Sequence, residues 1–120
     1  MRKFIDYEVI GLARGLAVEL YRLLRQYPRE EQYSLCQQIR RAVISVGANI
    51  AEGSGRMTER DFAHFVTQAI GSLCELEYLL LVSQDLDYVD SQTRLPLDHR
   101  IQILKGKLFR LRRTLLTAKG

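Results

Sequence analysis

Arg40-Arg41-Ala42-Val43-Ile44-Ser45-Val46-Gly47-Ala48-Asn49-Ile50-Ala51-Glu52-Gly53-Ser54-Gly55-Arg56 is the stretch that decides the fold. Between Ala42 and Ala51 only Ser45 and Asn49 are polar. Leu35, Ile39, Val43, Val46 and Ile50 recur every three or four residues, the spacing of a helix face turned to a core. Ile44, Gly47, Ala48 and Ala51 make a second apolar line on another side. One line suffices for the chain's own core. The second needs a cover, and in a chain of 120 residues the economical cover is another copy of the same chain. Arg41, Ser45, Asn49, Glu52 and Arg56 fall on a polar line of their own, and Gly53 is expected to end the helix.

Upstream, Glu30 and Glu31 suit the positive end of a helix dipole and are expected to open this second helix. Pro28 stops a first helix, capped by Asp6, whose inward positions are Ile5, Val9, Leu12, Leu16, Leu20, Leu23 and Tyr27. Downstream, Gly53-Ser54-Gly55-Arg56-Met57 reverses the chain, and Thr58-Glu59-Arg60-Asp61 resembles a capping box with Asp in the fourth position. The third helix carries Phe62, Phe65, Val66, Ala69, Ile70, Leu73, Leu76 and Leu80 inward. Tyr78 to Val82 is apolar in every direction of a turn and is expected to be covered by more than one neighbour. Asp85 to Ser91 reads as a loop or frayed end, and Pro96 leaves the start of the last helix open over several residues. In that helix Leu97, Ile101, Leu104, Leu108, Leu111 and Leu115 alternate by four and three, a bundle seam, with Ile103, Phe109 and Leu116 off it. Four helices joined by short turns predict an all-α, up-down-up-down antiparallel four-helix bundle over residues 1–120, one domain, assembling as a homo-oligomer.

Composition narrows the function. There is no signal-peptide pattern at the start and no apolar run of the ~20 residues that a bilayer span requires, so a cytoplasmic protein is expected. Cys36 and Cys74 sit in helical patterns and read as buried thiols, not as a disulfide framework. The formal net charge is +4, unevenly spread: residues 61–90 hold six acidic and no basic side chains, and residues 100–120 seven basic and no acidic ones. Such a split suits either a nucleic-acid surface or two neighbouring helices that complement each other.

Each candidate site meets a plainer explanation. Gly53-Ser54-Gly55 lacks the strand before it and the Gly-Lys-Ser/Thr ending of a phosphate loop. Asp61 and His64 are half of a carboxylate-bridged di-metal pattern whose second half is missing. Cys36, His64, Cys74 and His99 lack zinc spacing, so no metal and no cofactor is expected. Ser45, Ser54, Ser72 and the cysteines have no base and orienting carboxylate near them in sequence, and Glu75 and Glu77 diverge on a helix. No catalytic residue is assigned. Asn49 and Glu52, polar in a greasy helix, either bond locally to fix register or form a polar site at a subunit surface.

The basic residues divide similarly. Lys105, Arg112 and Lys119 flank the last helix's seam, within reach of the acidic third helix, whereas Arg110 and Arg113 lie further out. The candidate phosphate-contacting set is Arg40, Lys107, Arg110, Arg112, Arg113 and Lys119, suited to sequence-independent binding. The competing reading is a protein-only scaffold or adaptor whose basic helix is absorbed by internal pairing.

Gln37-Gln38-Ile39-Arg40-Arg41-Ala42, followed by Ser45-Val46-Gly47-Ala48-Asn49-Ile50-Ala51-Glu52-Gly53-Ser54-Gly55-Arg56, resembles the signature of bacterial four-helix-bundle proteins encoded in intervening sequences of large-subunit (23S) ribosomal RNA genes. Tyr27-Pro28, Phe62 to Glu75, Leu86-Asp87-Tyr88 and the leucine-rich end fit the same layout. Among relatives of that family is the accessory variability determinant of diversity-generating retroelements, a basic, barrel-like homopentamer that binds nucleic acid and its reverse transcriptase. The resemblance implies a non-enzymatic homopentamer of bundles whose partner is RNA, DNA or a nucleic-acid-processing protein. It marks Arg41, Ser45, Asn49, Glu52, Gly53, Gly55 and Arg56 as family-motif or subunit-interface residues.

Overall fold

The computed structural model describes residues 7–117, and among these the chain is four α-helices and one 3-10 turn, with no strand. Helix α1 spans Glu8–Leu24, the 3-10 turn Arg29–Glu31, α2 Leu35–Ser54, α3 Glu59–Asp85 and α4 Ser91–Thr117. Neighbours form a closed ring: α1 packs on α2 and on α4, and α3 packs on α2 and on α4. The resulting body measures 49 × 23 × 19 Å along its principal axes. A single core runs down it, built from Leu16, Leu20, Ile39, Val46, Ile50, Leu73, Leu76, Ile101 and Leu108 among others, all essentially without solvent contact.

The seams of α2, α3 and α4 follow sequence spacing closely. In α2 Ile39, Val43, Val46 and Ile50 are fully buried and Leu35 partly so; in α4 Leu97, Ile101, Leu104, Leu108 and Leu115 are buried. Helix α1 is rotated from the expected face: Ile10, Ala13 and Leu24 enter the core, whereas Leu12 is exposed and Leu23 half-buried. The expected cap Asp6 and the inward Ile5 lie outside the described residues.

Several ends differ from expectation for identifiable reasons. Glu30 and Glu31 belong to the 3-10 turn, not to α2, because the Gln32 side chain turns back to donate to the carbonyls of Leu24 (2.9 Å) and Tyr27 (3.3 Å), which holds this segment against the end of α1. Gly53 does not stop α2. It is buried inside the helix, where a Cβ would stand 2.6 Å from Phe65 Cβ and 2.8 Å from Phe62 Cδ1, so it is the close-packing point of α2 on α3; Gly55 is the cap. Thr58 caps α3, its hydroxyl accepting from Asp61 N at 3.1 Å.

Helix α3 ends in a Schellman arrangement: Tyr88 N donates to Ser83 O and Asp87 N to Gln84 O, both at 2.9 Å, with Asp87 at φ 63° in the place usually held by glycine. Asp90 then caps α4 by accepting from Thr93 N at 2.8 Å, which also holds the Asp90 carboxyl below its ordinary value. Helix α4 therefore starts before Pro96, which sits exposed in its second turn.

Two apolar expectations fail. Tyr78 and Leu81 remain exposed on α3, since that turn buries Leu79 and Leu80 and half-buries Val82 on its other sides. Cys74 is exposed as well, one position off the buried Leu73 and Leu76 line; Cys36 is buried, and burial pushes its thiol pKa up. By length and composition α3 is apolar enough to cross a membrane, its best window averaging a mean hydropathy of 1.4. In this fold Phe62, Val66, Ala69, Leu73, Leu76 and Leu80 are instead the third helix's share of the core.

Candidate nucleic-acid interface and subunit surface

The polar line of α2 is tied together rather than left unsatisfied. Asn49 Nδ2 donates to the Ser45 carbonyl (2.8 Å) and to Ser45 Oγ (3.0 Å), and Ser45 Oγ lies 2.8 Å from Ser72 Oγ of α3. Ser72 Oγ also donates to the Gln68 carbonyl at 3.2 Å. One direction satisfies every bond: Asn49 to Ser45, Ser45 to Ser72, Ser72 to Gln68, a donor chain crossing from α2 to α3. Further along, Glu52 meets Arg56 at 3.3 Å, and the Arg56 guanidinium lies 4.5 Å over the Phe65 ring and 4.0 Å from the Asp61 carboxylate. Arg41 is different. It stands exposed with no ion pair among the described residues and borders a recess with Gln38, Ser45 and Glu75.

The second apolar line of α2 is only partly open to solvent: Ile44 and Ala48 are exposed, whereas Gly47 and Ala51 are half-buried, Gly47 facing Ala13 of α1. Ile44 is 50% exposed, and with Ala48, Gly47 and Ala51 it faces Ile10, Ala13 and Ala17 of α1 across an apolar cleft of about 260 Å³. On α4, Ile103, Phe109 and Leu116 are similarly exposed.

The basic residues separate into paired and unpaired sets. Lys105 Nζ bonds Glu77 Oε1 at 2.6 Å in a mostly buried pair, and Glu77 raises the Lys105 pKa. Lys107 meets Glu8 at 2.9 Å, and Arg100 pairs with Glu19. Arg40 bonds the carbonyl and side-chain oxygens of Gln32, near the Tyr27 end of the bundle. Arg112 Nε donates to Thr67 Oγ1 at 2.8 Å, close to the α3 start at the opposite end, so Arg40 and Arg112 are not brought together. The Arg110 and Arg113 side chains, exposed, touch no acceptor among the described residues. Lys119 lies outside the described residues.

One grouping is not foreseen from the sequence. Arg60, His64 and Thr67 of α3 meet Arg112 and Leu116 of α4 around a polar recess of about 650 Å³. Their spacing along α3, four and then three, marks one helix face and is the signal that locates them. At the other end the Tyr27 hydroxyl is buried without a hydrogen bond among the described residues; burial pushes its pKa up, and the Ser83 hydroxyl acts oppositely without reaching hydrogen-bond geometry. Among the described residues no three His, Cys, Asp or Glu side chains gather as a metal site.

Comparison with known proteins agrees with this architecture. The profile of a family described as 23S rRNA-intervening sequence protein matches residues 5–110. A crystal structure from Bacteroides thetaiotaomicron, of a protein of unknown function from the S23 ribosomal protein family, superposes with a TM-score of 0.82 at 22% identity. The match covers 88% of this chain and 96% of that one, and at this identity it shows the shared fold. No curated protein matches.

Proposed function

Because the chain belongs to the 23S rRNA-intervening sequence protein family, we propose that it is a non-enzymatic, cytoplasmic helical bundle that self-associates and binds RNA or DNA through the outer face of α4. The observation that carries this reading is the state of Arg110 and Arg113. Other basic residues of α4 are engaged, Arg100, Lys105 and Lys107 with carboxylates and Arg112 with Thr67, whereas these two guanidiniums are exposed and unneutralised. Free Arg side chains on one helix face suit phosphate contacts that hold a strand without reading its bases.

The bundle is taken as up-down-up-down and antiparallel. Pairings such as Ser45 with Ser72 and Gly53 with Phe62 support the opposed course of α2 and α3, as Glu77 with Lys105 and Thr67 with Arg112 do for α3 and α4. Exposed Ile44 and Ala48 of α2 supply the face through which copies associate, five by family resemblance, while Phe109 and Leu116 share the arginine-bearing face of α4 and stay outside that contact. Association repeats Arg110 and Arg113 around one particle, and the repeated contacts strengthen binding by multivalency. The free thiols Cys36 and Cys74 fit a reducing compartment.

Filter binding to RNA and to duplex DNA across a salt series tests this. Affinity should fall steeply with salt, and Arg110→Glu with Arg113→Glu should remove it while leaving the helical signal intact. Undetectable binding at about 50 mM salt, where counterion release favours it most, contradicts the reading. The internal pairing of Arg100, Lys105 and Lys107 favours a second reading, a protein-only scaffold. On that reading the chain co-purifies with a protein and without nucleic acid.

A further inference from the structure

We infer that the recess between the start of α3 and the end of α4 is a phosphate-binding site, seating a phosphate of a nucleic-acid strand; this rests on the nucleic-acid reading above. The recess is about 650 Å³, within the range of sites that hold a nucleotide-sized group. Arg60, Asp61, His64 and Thr67 line it from α3, and Arg112 and Leu116 from α4.

Its donors are held in place and left free. The Thr67 hydroxyl donates to the Ala63 carbonyl at 3.1 Å, so its oxygen is available to accept Arg112 Nε at 2.8 Å. That bond fixes the guanidinium at one corner, while its two terminal nitrogens meet no acceptor among the described residues. Arg60 is exposed and likewise makes no ion pair among the described residues. Two guanidiniums therefore oppose a single lining carboxylate, Asp61, which lies 4.0 Å from the Arg56 guanidinium on the turn outside. His64, bonded to Gln68 at 3.1 Å, adds a ring nitrogen.

A guanidinium fork matches phosphate and carboxylate oxygens alike. The surroundings decide between them. Arg110 and Arg113, exposed within one turn of Arg112 though turned away from the recess, add unneutralised positive charge to this end of α4, and that local excess suits a strand of phosphates better than an isolated carboxylate.

The test uses the full chain and the variants Arg60→Gln, which removes a side chain that makes no hydrogen bond or ion pair among the described residues, and Arg60→Gln/Arg112→Gln. Strand binding is measured over a salt series, and the Arg112 Nε–H resonance is followed during titration with inorganic phosphate and with adenosine 5′-monophosphate. The double variant should bind RNA or duplex DNA roughly tenfold more weakly at low salt, with the log–log salt slope reduced by about 1, and Arg60→Gln should lie between. Phosphate should shift the Arg112 signal in the parent chain. Equal strand affinity and slope in parent and double variant overturn the recess while leaving the nucleic-acid reading intact. A phosphate-induced shift without any strand binding keeps the phosphate site, assigns it to free phosphate or a mononucleotide, and removes the nucleic-acid reading. No shift and no strand binding overturn both.

Discussion

Tyr88 Oη donates to Glu31 Oε2 at 2.7 Å, joining the α3–α4 loop to the 3-10 turn across 57 positions of sequence. Ser34 Oγ takes the other carboxylate oxygen at 2.6 Å, and the Tyr88 ring lies 5.4 Å from that of Tyr27. The Ser34 bond first and the Tyr88 bond second hold the Glu31 carboxyl below its ordinary value. Tyr88 is pushed up to about 12, chiefly by its bond to Glu31.

A two-limbed pH dependence follows. Glu31 has a depressed folded pKa, so its contribution is present above the ordinary carboxyl value near 4.5 and is lost as pH falls through the folded value. Tyr88 has a raised folded pKa, so its contribution is complete below pH 10.0 and is lost as pH rises through about 12. Tyr88→Phe should lower the urea midpoint at neutral pH and flatten the alkaline limb, read from midpoints taken from pH 3 to 12. An unchanged alkaline limb in Tyr88→Phe contradicts the assignment.

Asp87 reaches φ 63° to let Tyr88 turn back, a conformation that glycine adopts without a Cβ penalty. Asp87→Gly should therefore stabilise the protein by about 0.5–1 kcal/mol despite the added freedom of the unfolded chain. Thermal unfolding measures it, and a clear loss would show that the Asp side chain itself contributes at this corner.

Two glycines should respond oppositely to the same change. Gly53→Ala forces a Cβ to within 2.6 Å of Phe65 Cβ and 2.8 Å of Phe62 Cδ1, and should cost about 1–3 kcal/mol. Gly106→Ala on α4 meets nothing within 4 Å and should gain roughly 0.5–1 kcal/mol from helix propensity. Denaturant midpoints of both variants check the pair.

These positions show what spacing reveals and what it hides. The α4 seam from Leu97 to Leu115 is legible because strict four-three alternation has few other uses, and the buried α2 line is legible for the same reason. Gly53 looks like a helix stop, since nothing nearby in sequence announces that Phe62 and Phe65 return against it. Arg40 looks free because its partner Gln32 lies eight residues back in a turn whose shape depends on the Leu24 and Tyr27 carbonyls. Of the three α4 cations that sequence places within reach of the acidic third helix, Lys105 pairs with Glu77, Arg112 meets the Thr67 hydroxyl instead of a carboxylate and Lys119 lies outside the described residues, while Lys107 finds Glu8 on α1, a partner set only by the ring order of helices.

Ion pairs should rank by burial. Glu77→Gln leaves Lys105 without its charged partner in a pair whose side chains are 19% and 25% exposed, and should cost about 1–2 kcal/mol. Glu8→Gln, at the 70% exposed end of the Lys107 pair, should change stability by less than about 0.5 kcal/mol. Equal effects in urea unfolding would contradict this ordering.

The central claim is that the exposed Ile44 and Ala48 of α2 are covered by further copies, which gathers the unneutralised arginines of α4 into one surface. Sedimentation equilibrium of the folded chain at micromolar concentration tests it most directly. The account predicts a discrete assembly, about 70 kDa for five copies of 13.9 kDa. A folded species holding at 13.9 kDa would contradict it.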